Sequence, residues 1–437
     1  MQNKNHIFNL FCCMFFMFLL VGFFQSWNLA LTIFNLCIIS SIMSLGINIQ
    51  WGNAGIVNFG VMGFAALGGL ANVIISMPPT NKAWETGGIY IVLGLTIFIV
   101  SIIFSVVLWK RTAFSNKQKY LITIFIITFS YFLMRYIIDT PIKAIESIEP
   151  AKTGYLGGFN LPVIISWPIG GLLAALTAYL IGKIALGLRS DYLAIATLGI
   201  SEIIIYVLKN EDWLSRGVKN VNGLPRPVPY EIELQSKPWV TEIANLTKTS
   251  IPEMSSIIVK VSYSLLFVTI LIVILFLLEV ALKSPWGRMM RAIRDNEVSA
   301  NAMGKDIKKR HLQVFIIGSA IIGIAGAMLT TLDGQFTPVS YQPLRFTFLV
   351  WIMVIIGGSG NNFGSVIGGF IIWFFWIQSE PIGLWLVSFI TSQISDSNLV
   401  KIHLLENAAH MRLMFMGIIL LVTLRFAPKG LIPEEKR

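Results

Sequence analysis

Charge is scarce in this sequence. Only 13% of its 437 residues are Asp, Glu, Lys or Arg, and there are just three cysteines and four histidines. A chain of this length with so little charge, 55% hydrophobic residues and a mean hydropathy of +0.74 cannot be a soluble or a disordered protein. Cys12, Cys13 and Cys37 all sit in apolar runs, where a thiol acts as a small hydrophobe, which excludes a disulfide-built secreted domain. His6, His311, His403 and His410 lack the spacing of a metal site. Neither Gly182-Lys183-Ile184 nor Gly304-Lys305-Asp306 ends as a phosphate-cradling loop must, and no G-x-S-x-G elbow occurs. The chain thus offers no residues for an enzyme, binds no cofactor of its own, and leaves any ATP hydrolysis to another chain. Its net charge of +11 is not gathered on a soluble domain, so no nucleic-acid partner is implied.

What the sequence does have is long apolar runs, at 7–25, 29–49, 56–76, 88–109, 120–138, 163–184, 192–208, 257–282, 314–332, 346–357, 363–378 and 411–427. They are continuous rather than alternating, which excludes a β-barrel and predicts an all-α polytopic membrane protein with about ten to twelve transmembrane helices, some of them interrupted. The first run carries only Lys4 as a basic flank and no small-residue cleavage site, so it is expected to be a retained span. With both termini cytoplasmic, 19 Lys and Arg fall on the inner side and 11 on longer outer loops, the bias that orients polytopic proteins. The chain is expected to form one domain over 1–437, with an external docking or lid-like loop at 209–256 and a cytoplasmic loop at 283–313. Ala174/Ala178/Gly182 and Ser319/Gly323/Ala327 predict two helix faces where backbones approach closely.

Two stretches break the apolar pattern. INIQWGNAGIVNFG (47–60) interleaves Gln50, Asn53 and Asn58 with glycines, and GGSGNNFG (357–364) joins two runs too short to cross the bilayer without tilt or support. Unpaired peptide groups are not tolerated in lipid, so such backbone is buried in protein, lines water or lies at a membrane face. Broken helices in both halves of a chain point to a permeation path, the alternative being close packing with asparagines capping the broken ends. The candidate path residues are Gln50, Asn53, Asn58, Gly358, Asn361 and Asn362. Glu202, an ionisable group inside the run 192–208, joins them either as a path or gating residue or as a structural bond between helices. Glu279, near a span end, is expected to snorkel.

The loop KSPWGRMMRAIRDNEVSANAMGKDIKKR (283–310) predicts a cytoplasmic amphipathic helix over 285–303, capped by Ser284 and ended by Gly304. Met289, Ala292, Ile293, Ala300 and Met303 share one face, while Arg288, Arg291, Arg294 and Asp295 share the other. With Glu297 completing a mixed-charge rim, the pattern suits a soluble partner better than plain lipid adhesion. Ile293 and Ala300 are its expected anchors.

Five segments in chain order, LGINIQWGNAGIVNFGVMGF (45–64), SDYLAIATLGISEII (190–204), GRMMRAIRDNEVSANAMG (287–304), VFIIGSAIIGIAGAML (314–329) and VIIGGSGNNFGSVIGGF (354–370), resemble the signatures of one family. These are the permeases of branched-chain amino acid ABC importers, of the subunit type usually called LivM. The resemblance implies a subunit of the bacterial inner membrane that forms half of a translocation path. It would pair with a second, LivH-like permease, dock two cytoplasmic ATPase subunits that carry ATP and Mg, and receive its solute from an external amino-acid-binding protein. The chain departs from the pattern at Val61 and Met62, where the family commonly has a histidine, and at Ser365, where it has a proline. The resemblance leaves the solute open: a branched-chain or related hydrophobic amino acid, another amino acid, urea or a short amide. A self-powered secondary transporter is the alternative mechanism, and the amphipathic loop argues against it.

Overall fold

The computed structural model describes residues 2–111, 115–149, 152–392, 398–407 and 410–434, and each apolar run forms a helix. In chain order these are α1 (Gln2–Phe24), α2 (Trp27–Ile47), α3 (Val61–Ser76), α4 (Ile89–Arg111), α5 (Asn116–Glu146), α6 (Val163–Ala185), α7 (Ser190–Asn210) and α8 (Ile251–Lys283). Two loop helices follow, α9 (Pro285–Asp295) and α10 (Glu297–Ala302). The remainder are α11 (Ile307–Asp333), α12 (Pro343–Gly357), α13 (Asn362–Ile390) and α14 (Met411–Phe426). The fold is that of an all-α polytopic membrane protein, because only a helix satisfies every backbone group within its own segment in lipid. Among the described residues, nine helical segments are long and apolar enough to cross a membrane. α3, α12 and α14 are shorter, with 16, 15 and 16 residues. Sixteen residues rise only about 24 Å against a hydrocarbon core of about 30 Å. α3 is preceded by the non-helical stretch 55–60, so the run beginning at 56 is helical only from Val61.

The centre of the bundle is the packed trio α3, α6 and α11. Its small residues set the spacing. A Cβ added to Gly323 would lie 2.6 Å from the Cβ of Ala174 and 2.6 Å from the carbonyl of Gly170, and one added to Gly170 would meet Gly68. The two predicted small faces therefore pack against one another, backbone on backbone. α2 packs against α11 of the trio and α13 packs against α2, while α4 with α5 forms a hairpin. That hairpin has its own small core, including Ile91, Met134, Ile138 and Trp213. It turns Ile99, Val100, Phe125 and Phe132 outward, where in a membrane they meet acyl chains.

Between α7 and α8, segment 209–256 has no helix longer than the ten residues of Pro238–Thr247, and its last residues, from Ile251, already belong to α8. It docks by burying Val221, Leu224, Leu234 and Val240 and by a short antiparallel pairing of β1 (Val221–Asn222) with β2 (Gln335–Phe336).

The loop 285–303 differs from expectation. It is two helices, not one, because Asn296 takes an extended conformation and its side chain accepts from the Ser299 amide at 2.9 Å, capping α10. Its apolar face also turns inward. Met290 and Ile293 are 0% and 1% exposed and Ala300 is 8% exposed, all within the main core. Of that face Met289 is half-buried and Ala292 and Met303 are exposed, and Val298 and Ala302 also lie outside.

Candidate functional site

The two broken stretches meet. α2 loosens into a wider turn over Asn48–Gly52 before leaving the helix. From that turn Asn48 reaches across 312 positions of sequence to accept from the Gly360 amide at 2.8 Å, and it donates to Asn362 Oδ1 at 3.0 Å. Asn362 in turn donates to Glu279 Oε1 at 2.9 Å, and Glu279 pairs with Lys283 at 3.3 Å. A chain of polar contacts therefore runs from α2 through the glycine-rich connector to the end of α8. Asn48 and Glu279 were not among the predicted site residues. The only local signal for Asn48 was an amide two positions before Gln50, and Glu279 was expected only to snorkel.

A second network holds the stretch after the turn. Gln50 donates to the Phe315 carbonyl at 2.9 Å and to Ser319 Oγ at 3.2 Å, and it accepts from Asn58 Nδ2 at 2.8 Å. Asn58 Oδ1 accepts from the Gly60 amide at 2.7 Å, and Trp351 Nε1 donates to the Asn58 carbonyl at 3.0 Å. Asn53 donates to the Asn48 carbonyl at 3.2 Å, and its own buried Oδ1 has no partner among the described residues. Gln50, Asn53, Asn58 and Asn362 are at most 2% exposed, so in this conformation nearly all their hydrogen-bonding capacity is met inside the protein. Asn361 is half-buried and caps α13 through the Gly364 amide at 3.2 Å. Gly358 has φ of +115°, a region closed to most side chains, and a Cβ there would strike the Ile432 carbonyl. Glu202 lies apart from these networks on α7, half-buried, without a hydrogen bond or ion pair among the described residues.

One end of the bundle gathers the chain's extremities around the breaks. The tail after α14 folds beneath the connector: the Leu431 amide donates to the Ile356 carbonyl at 2.8 Å and the Ile432 amide to the Gly357 carbonyl at 2.9 Å. Asn361 Nδ2 donates to the Pro433 carbonyl at 3.3 Å, and the His6 ring lies 3.1 Å from the Leu431 carbonyl. Arg294 of α9 joins the loop to this cluster, pairing with Glu434 at 2.9 Å and Asp295 at 3.0 Å and donating to the Gly52 carbonyl. Burial alone would lower the pKa of Arg294, but its bonds to Glu434 and Asp295 outweigh that and hold it above the ordinary value. The guanidinium is therefore charged at every physiological pH. Arg288, Arg291, Glu297 and Gly304 stay nearer the surface, with Glu297 3.7 Å from His311.

A bundle of membrane-length helices, broken in two places that meet beside a basic amphipathic loop, defines a polytopic membrane protein. The chain belongs to the family described as branched-chain amino acid transport system / permease component, whose model matches residues 144–424. It is 29% identical over 209 residues to the high-affinity branched-chain amino acid transport system permease protein LivM of Escherichia coli, covering 47% of this chain and 48% of that protein. It is 25% identical over 269 residues to a probable LivM of Methanocaldococcus jannaschii, covering 60% and 67%. A probable LivH of the same organism is 32% identical over 111 residues, covering 25% of this chain and 34% of that protein. The chain thus spans about half the length of the E. coli relative it matches. No solved structure matches it.

Proposed function

We propose that this chain is a permease subunit of an ATP-driven importer for branched-chain or related hydrophobic amino acids, of the LivM type, in the bacterial inner membrane. The match to the permease-component family over residues 144–424 carries this reading. The similarity to both a LivM and a LivH protein supports pairing with a second, LivH-like permease, each supplying half of the path. ATP and Mg are then bound by two separate cytoplasmic ATPase subunits, and an external amino-acid-binding protein delivers the solute.

The path residues in this chain are Gln50, Asn53, Asn58, Glu202, Gly358, Asn361 and Asn362. The meeting of the two breaks at Asn48 acts as a closure at the cytoplasmic end. Opening exchanges its bonds to Gly360 and Asn362 for bonds to water and solute, which keeps the exposed peptide groups satisfied. The ATPases act on the loop 283–313. Arg288, Arg291, Asp295 and Glu297 form the rim of that contact, Val298 and Met303 supply its open apolar surface, and Gly304 lets the chain turn away. Ile293 and Ala300 hold the loop to the bundle, and Arg294 passes its displacement directly to the end of α2. The gathering of His6, Arg294 and Glu434 at one end, together with the basic-residue bias, supports both termini facing the cytoplasm.

The test is reconstitution of this chain in liposomes with its sister permease, ATPases and binding protein. Leucine uptake that requires ATP inside is expected. Uptake by this chain alone under an ion gradient would overturn the reading in favour of a self-powered transporter.

A further inference from the structure

At the end of the bundle opposite the basic loop lies a cavity of ≈ 260 Å³ that the networks described above do not use. It opens between α2, α11, α12 and α13 beside the loop that carries β2, to which segment 209–256 is pinned. Leu36, Ile39 and Met43 give it an apolar wall. Several polar groups on its lining stand without partners among the described residues. Asp333, the last residue of α11, is exposed and forms no ion pair, Ser40 is only 4% exposed and its hydroxyl makes no hydrogen bond, and neither the buried Thr337 Oγ1 nor the buried Trp373 Nε1 has a partner. Buried polar groups in a folded protein are ordinarily bonded, so an unmet donor in a concavity calls for a ligand or water to meet it. Arg345 lies over the Trp376 ring at 4.9 Å, and Arg226, whose guanidinium comes within 4 Å of a Cβ built on Gly334, is paired with Glu231 at 2.9 Å, so neither forms an ion pair with Asp333.

We propose that this cavity holds the transported solute on its way through the subunit, and that the solute it takes is a zwitterion with an apolar side chain. Asp333 receives the α-ammonium, Ser40 and Trp373 donate to the carboxylate, and Leu36, Ile39 and Met43 enclose the side chain. The polarity follows from the lining: one free carboxylate and several free donors suit an ammonium and a carboxylate on one molecule, whereas urea offers neither charge. The volume lies just below the roughly 300–1,000 Å³ of sites for drug-sized ligands, as suits a smaller solute. The inference rests on the importer reading above and adds a solute site within this one chain.

The experiment uses the assembled permease complex, with Ser40→Cys in a background lacking the three native cysteines. A water-soluble thiol reagent should label the introduced thiol, and leucine should slow the labelling in a saturable way. The deaminated analogue 4-methyl-2-oxopentanoate and urea should not. Asp333→Asn should raise the half-protecting leucine concentration about tenfold, the scale of one lost charge-assisted bond, while Asp333→Glu retains most of the protection. The parent complex is assayed for ATP-driven leucine uptake in parallel. Uptake by the parent without leucine protection, or protection indifferent to Asp333→Asn, overturns the cavity assignment and leaves the importer reading in place. A parent that moves urea and no leucine overturns both.

Discussion

Arg294 donates to the backbone carbonyl of Gly52, joining the loop between α8 and α11 to the unwound end of α2 across 242 positions of sequence. The same side chain holds Glu434 of the tail, so one guanidinium ties together loop, broken helix and C-terminal segment. Its planar fork can serve several acceptors at once, which a lysine cannot.

Arg294→Ala leaves the Gly52 carbonyl and the Glu434 carboxylate without their partner, a loss of about 1–3 kcal/mol. Leucine uptake at matched membrane levels is expected to fall at least about tenfold. Arg294→Lys should restore only part of it. Uptake at the parental level in both variants would show that the loop passes nothing through this contact.

Asn48→Ala removes an acceptor from Gly360 and a donor from Asn362, both in the buried joint between the two breaks. The purified chain should melt at lower temperature in detergent, by the equivalent of about 1–3 kcal/mol. Asn53→Ala, whose Oδ1 is already unpartnered, should lower it less. The comparison is made by thermal unfolding of the two variants side by side.

Gly358→Leu meets two obstacles, a backbone at φ +115° and the Ile432 carbonyl in the space a Cβ would occupy. The strain and overpacking are expected to be about 1–3 kcal/mol or more and to stop uptake. Truncating the tail before residue 427 removes the clash but not the backbone strain. The doubly altered chain should therefore regain thermal stability only in part.

Val298→Asp and Ile293→Asp should separate partner contact from folding. Val298 is 81% exposed, so its aspartate should release the ATPase subunits on co-purification while melting stays at the parental value. Ile293 is 1% exposed, and a charge there is buried without a partner, at a cost of several kcal/mol, so the chain itself should lose stability. Full ATPase recovery with Val298→Asp would place the docking surface elsewhere.

Much of the architecture was legible because it depends on local composition. A run of twenty apolar residues in lipid has no alternative to a helix, and the small-residue spacing on α6 and α11 marked each as a face for close backbone approach without showing that the two meet. The break at Asn296 was also readable in principle, since asparagine before Glu297 is a helix-capping signal, but the amphipathic period ran through it and outweighed it. What the period could not show was what its apolar face met. Ile293 and Ala300 suit a partner's groove and their own bundle equally well, and the fold chose the bundle.

The number, position and helical nature of the segments, and the two places where helices break, follow from the sequence by itself, since hydropathy and backbone satisfaction act over a few turns of chain. The joining of those breaks through Asn48, the inward turn of the loop and the clamp at Arg294 were decided only in three dimensions. Each depends on a hydrogen-bond partner hundreds of residues away, and nothing in the neighbourhood of Gly52 indicates that its free carbonyl will be met by a guanidinium from α9. Local physics creates the unmet groups, and only the packing of distant helices determines which of them satisfy one another.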